Sequence, residues 1–315
     1  MDLKSIFRST EFGIFIAFIV LCALLSLATP KFLTVYNIST VMRQFSFIAV
    51  MSVGMTMVIL TGGIDLSVGC VLALVNVLAA LFIKKFGVGG GIILALLSGT
   101  FVGFLNGLII DRLELPPFIV TLGMMNVARG LALVITKGWP ITGLPSSITF
   151  LSEGSIGSIP VPGIIVAVVY IFGYIFLSRT VWGRYIYAAG GNEKATWLSG
   201  VNIHIIKIMV YTITGFLCGV AGIMMTSRLS QGTPTTGTGY ELSVIAAVVI
   251  GGTDLFGGIG SVLGSLIGAA IIGVLQNGLV LLGVSAFWQK VIIGLVIIIA
   301  VAGGSIRRKL SRRTE

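Results

Sequence analysis

Charge is scarce in this 315-residue chain, which has ten Asp and Glu, twenty Lys and Arg, and a single histidine, His204. One histidine excludes a His-rich metal site or a histidine proton relay. Cys22, Cys70 and Cys218 lie apart in apolar runs. An odd number without close pairs argues against a disulfide framework or metal site and for small packing residues. No Ser/His/Asp set or convergent acid pair is visible, so an enzyme reading is weak. No G-x4-G-K-[S/T] sequence occurs either, which excludes a Walker-type phosphate cradle. With 56% hydrophobic and 10% charged residues, the chain lacks polar surface for a soluble shell.

What it has instead is apolar runs punctuated by 43 glycines. The runs cover Phe12–Ala28, Phe45–Leu60, Val68–Ile83, Gly91–Ile110, Phe118–Ile135, Gly163–Leu177, Ile208–Thr226, Leu242–Gly251, Val262–Gly283 and Val291–Gly303. A helix of about 20 apolar residues crosses a bilayer core. The chain therefore reads as an all-α, polytopic membrane bundle of about ten helices, one transmembrane domain over residues 1–315. Lys4, Arg8 and Ser26-Leu27-Ala28 loosely match a cleavable leader. The run of about 17 residues is longer than a usual signal core, so it is taken as the first span.

Basic residues set the orientation. Ten spans with both ends cytoplasmic put twelve Lys and Arg inside, among them Lys4, Arg8 and the 304–315 tail, and seven outside, with Arg129 inside a span. The net charge of +10 is thus a topology signal and does not imply nucleic acid. Residues 137–162, with four prolines, read as an ordered external loop, and 179–207 as a cytoplasmic one in which residues 195–198 can form a short helix.

Glycines four apart, Gly99/Gly103/Gly107 and Gly260/Gly264/Gly268, let helix backbones approach closely in lipid. Such faces serve folding first and can also serve a dimer. Gly62-Gly63-Ile64-Asp65-Leu66 recurs as Gly251-Gly252-Thr253-Asp254-Leu255. Doubled glycines interrupt a helix, and the freed backbone groups must pair or line a wet cavity. Asp65 and Asp254 can each cap the helix that follows, or border a polar path; broken helices in transporters point to the substrate route. Ser67, Asn76, Asn106, Asn126, Gln276 and Asn277 are neutral hydrogen-bonding groups that either join helices or make an uncharged path. Arg129 can snorkel to the outer interface or contact substrate.

Leu60–Gly69, Pro117–Gly123 with Arg129-Gly130, and Gly251–Gly264 resemble the permease subunits of bacterial ribose-type ABC importers. Trp182–Ala195, continuing to Ser199-Gly200-Val201, is similar to that family's ATPase-docking loop, with Trp197 as a departure from its small-residue pattern. The resemblance runs from about residue 35 to 305. It implies import of a monosaccharide or related polyol across the bacterial inner membrane. The partners it implies are a cytoplasmic ATPase, an external sugar-binding protein and a second permease copy. No cofactor is implied for this chain. It assigns docking to Gly190, Gly191, Asn192, Glu193, Ala195 and Gly200. The doubled glycines Gly62, Gly63, Gly251 and Gly252 are hinge candidates on their own account, since glycine tolerates backbone angles closed to other residues. Permeases for nucleosides or branched-chain amino acids share similar breaks. A stand-alone transporter or channel coupling ions through Asp65 and Asp254 is the reading from another class.

Overall fold

A computed structural model describes residues 10–311. The helices are α1 (Thr10–Ala28), α2 (Val35–Leu60), α3 (Val68–Arg112), α4 (Pro117–Thr136), α5 (Phe150–Glu153), α6 (Val161–Arg179), α7 (Val181–Gly191), α8 (Glu193–Leu198), α9 (Ile203–Leu229), α10 (Tyr240–Ile250), α11 (Val262–Leu281) and α12 (Ala286–Ser311). Among the described residues, seven helices are long and apolar enough to cross a membrane.

Three expected runs differ from simple spans. The third and fourth merge into the 45-residue α3, about 68 Å if straight and twice a bilayer core. Gly87 divides it with φ 74° and ψ 174°, and residue 83 returns against residue 91, so α3 is a hairpin of two helices. The eighth run forms only the 11-residue α10, about 16 Å long and too short to cross. The 137–162 loop is ordered, with a 3-10 turn at Ser146–Thr149, α5, and a two-residue antiparallel pairing of β1 (Ser155–Ile156) with β2 (Ile159–Pro160). Lys4, Arg8 and the end of the basic tail lie outside the described residues.

The core is built around α2, every residue of which from Ser46 to Leu60 is buried. Its apolar stretch is 83% buried, against 6% in α1, which turns its apolar surface outward as a lipid-facing helix does. Small residues set the packing. A β-carbon on Gly99 would lie 2.7 Å from the Gly215 carbonyl oxygen, and one on Gly107 the same distance from the Ile208 Cα. The second arm of α3 therefore lies directly on α9. The glycines of α11 face α10 in the same way, Gly264 against Gly251 and Gly268 against Ala247. Both glycine stripes are spent on contacts within the chain.

Candidate functional site

The first break follows α2. Gly62, at φ 78°, donates its N–H to the Ile59 carbonyl at 2.8 Å, and Gly63 donates to Val58 at 3.1 Å. This pair of bonds ends a helix on a left-handed residue and satisfies its last carbonyls, for which glycine is suited. Beyond it, Asp65 is 2% exposed. Its Oδ1 accepts from the Ser67 N–H at 2.8 Å and the Ser67 hydroxyl at 2.6 Å. Asn106, on the second arm of α3, donates to the Ser67 Oγ at 3.0 Å. Thr121 of α4 donates to the Ile64 carbonyl at 3.2 Å. Asp65 is thus not the N-cap. Ser67 holds that position without a side-chain cap bond, and Asp65 closes a turn that fixes Ser67.

The second break repeats the helix ending. Gly252, at φ 88°, donates to Val249 at 2.9 Å, and Thr253 donates to Val248 at 3.2 Å. The left-handed residue is the first glycine of one motif and the second glycine of the other. The sequence echo is therefore one residue out of structural register. Asp254 accepts from the Phe256 N–H at 3.0 Å and does not cap α11. Ser261 is that cap, accepting from Gly264 at 2.9 Å.

The two breaks meet. Gly258 donates its N–H to the Leu60 carbonyl at 2.9 Å, joining the loop after α10 to the end of α2. Gly190, at the end of α7, lies against the same carbonyl and against Gly258. Tyr187 of α7 donates to the Gly260 carbonyl at 2.9 Å. Burial, and secondarily the Glu11 carboxylate, push its phenol above the usual tyrosine range, so it remains a donor. Residues 179–207 and both breaks thus share one end of the molecule.

That loop is capped at each turn. Thr180 accepts from Gly183 at 3.2 Å to begin α7, and Asn192 accepts from Ala195 at 2.9 Å to begin α8. Gly200, at φ 84°, follows α8, which is the short helix expected there. Glu193 and Ala195 are exposed, as are Trp197 (60%) and Leu198 (70%). Glu193 pairs with Lys207 at 2.7 Å.

The remaining polar residues separate. Asn76 is fully buried, donating to Thr226 at 3.0 Å and accepting from the Thr233 N–H at 2.6 Å, a clamp between α3, α9 and the loop beyond. Asn277 and Asn37 exchange amide hydrogen bonds at 2.9 and 3.0 Å between α11 and α2. Asn126 is exposed on α4, its amide donating to Leu122 at 3.0 Å, and Gln276 is half-buried. Arg129 donates to the carbonyls of Pro234 and Thr236 and to the Thr238 hydroxyl, so it holds the loop before α10.

A pocket of about 720 Å³ opens between the first break, the α3–α4 turn, α8 and the start of α9. Thr61, Gly62, Gly63, Asp111, Trp197, His204 and Tyr211 are in its wall. Asp111 and Tyr211 were not singled out from sequence. A carboxylate at the end of an apolar run was the signal for the first; nothing local distinguishes the second.

Compared with known proteins, residues 37–301 match the family described as "Branched-chain amino acid transport system / permease component". The chain is 46% identical to the ribose import permease protein RbsC of Bacillus subtilis, over 92% of this chain and 91% of the relative. It is 38% identical to the fructose import permease protein FrcC of Rhizobium meliloti (86% and 78% covered) and to the L-arabinose ABC transporter permease protein AraH of Azospirillum brasilense (95% and 89%). No solved structure gives a significant match.

Proposed function

The chain belongs to the branched-chain amino acid transport system / permease component family, and from that premise we propose that it is the membrane subunit of an ATP-driven monosaccharide importer. The observation that carries this reading is the 46% identity, over nine-tenths of both chains, to a protein named as a ribose import permease. The fructose and L-arabinose permeases at 38% support a sugar cargo and leave the particular sugar open.

ATP hydrolysis belongs to a partner, since no Walker sequence occurs in this chain. In this reading a cytoplasmic ATPase docks on residues 179–207, an external binding protein delivers the sugar, and a second permease copy completes the pathway. In this reading both ends lie on the cytoplasmic side of the bacterial inner membrane after ten crossings, the eighth made by the 230–239 loop together with the short α10. The capped, exposed α8 supports docking, and the Gly190 contact with Leu60 and Gly258 supports transmission to both breaks. Asp65, Ser67 and Asn106 border the route as the frame that holds the first break. Asn126, exposed on α4, faces the route only once a second copy covers it. The sugar is neutral, so its contacts are weak and brief.

The test is reconstitution with the ATPase and binding protein in a strain lacking its own sugar importers. Labelled D-ribose, D-fructose or L-arabinose should accumulate on ATP, and leucine should not. Leucine uptake without sugar uptake would overturn the assignment.

A further inference from the structure

The pocket beside α8 carries two polar atoms that no described residue satisfies. The Tyr211 hydroxyl and the Asp111 Oδ2 are buried without a hydrogen-bond partner among the described residues, in residues that are 1% and 7% exposed. The Tyr211 hydroxyl lies against Gly63, where a β-carbon would come within 2.5 Å of it. The other Asp111 oxygen is engaged by His204 Nδ1 at 2.7 Å, which holds the carboxyl in place. An unpaired buried polar group is costly, so two in one wall are open to a partner supplied from the pocket.

The rest of the wall narrows the chemistry. Trp197 presents an exposed indole, and the Thr61 hydroxyl, which donates to Val58 at 2.7 Å, keeps acceptor capacity. The lining includes both carboxylates (Glu114, Glu193) and cations (Lys194, Lys207), which favours neither an anion nor a cation. A flat apolar face in the same wall as a carboxylate and a phenol matches a sugar ring, whose C–H face stacks while its hydroxyls donate and accept at the edge.

We propose that this pocket is a cytoplasm-facing binding site for a neutral hydroxylated molecule of monosaccharide size, resting on the sugar-importer reading above. An occupant touches Trp197 of α8 and the Gly62-Gly63 break together. Sugar accumulated inside therefore holds the docking helix against the break and slows further import.

Equilibrium binding of labelled D-ribose, D-fructose and L-arabinose to the full-length permease in nanodiscs tests this. At least one should bind saturably, half-saturating at about 1 mM, a weak site of roughly 4 kcal/mol. Asp111→Asn, Tyr211→Phe and Trp197→Leu should each weaken it at least about fivefold, with thermal stability measured alongside to exclude misfolding. In vesicles carrying the assembled transporter, sugar on the cytoplasmic side should slow ATP-driven uptake by the wild type and much less by Tyr211→Phe. Saturable binding absent up to about 100 mM, or unchanged in all three variants, overturns the site. Uptake without such binding overturns this inference alone, whereas absent uptake of all three sugars overturns the sugar-importer reading.

Discussion

Gly258 donates its backbone N–H to the carbonyl of Leu60 at 2.9 Å, across nearly two hundred residues of chain. Gly190 lies against both groups, with its hypothetical β-carbon 2.6 Å from the Gly258 nitrogen. At this point three backbones meet with no room for a side chain, so movement of one segment is felt by the other two.

Gly190→Ala should therefore separate α7 from the breaks. Uptake should fall at least about tenfold while the permease remains in the membrane, with a stability loss of about 1–3 kcal/mol. Sugar uptake and ATPase stimulation, measured together, check this; wild-type values of both would show that the junction does not transmit.

At the first break, Asp65 acts through an acceptor oxygen, which asparagine retains. Asp65→Asn should transport nearly normally, whereas Asp65→Leu leaves the Ser67 N–H and hydroxyl short of their acceptor at about 1–3 kcal/mol. Gly63→Val should fail because its side chain would displace the Tyr211 hydroxyl. Uptake rates at matched expression separate the cases. Loss of transport in Asp65→Asn would assign a direct role to the charge.

The Glu193–Lys207 pair is half-exposed at best, and such pairs are worth about 0–1 kcal/mol. Glu193→Lys should thus barely change stability yet reduce co-purification with the ATPase severalfold. Adding Lys207→Glu restores the pair but not the docking surface. Full recovery in the double variant would reduce Glu193 to an intramolecular role.

Orientation is tested by single cysteines in a chain first freed of Cys22, Cys70 and Cys218. Ser152, a natural external reporter from sequence, is buried and bonded to Ser227 at 3.0 Å, so Ser158 is the better position. Ser158→Cys should react with an impermeant thiol reagent in intact cells, and Ser311→Cys should react only after lysis. The reverse pattern would move residues 179–207 outside.

The sequence alone determined the class. Runs of membrane-spanning length leave an all-α bundle as the structure that satisfies its own backbone in lipid, and the glycine doublets marked the helix breaks. It also located α8, because Asn192 and Gly200 are local cap and stop signals.

Tertiary structure decided what the periodic signal could not carry. Hydropathy cannot tell a full span from the short α10, since both are equally apolar, nor place the reversal at Gly87 within α3. The two Gly-Gly-x-Asp motifs match at every position but the third, yet their left-handed glycines differ, because each helix ends where its own packing stops it. Asn76, Asn277 and Arg129 looked alike as polar groups in apolar runs. Their partners lie 150, 240 and over 100 residues away, and whether a buried polar group faces a path or a neighbour depends on distances that only the folded chain sets.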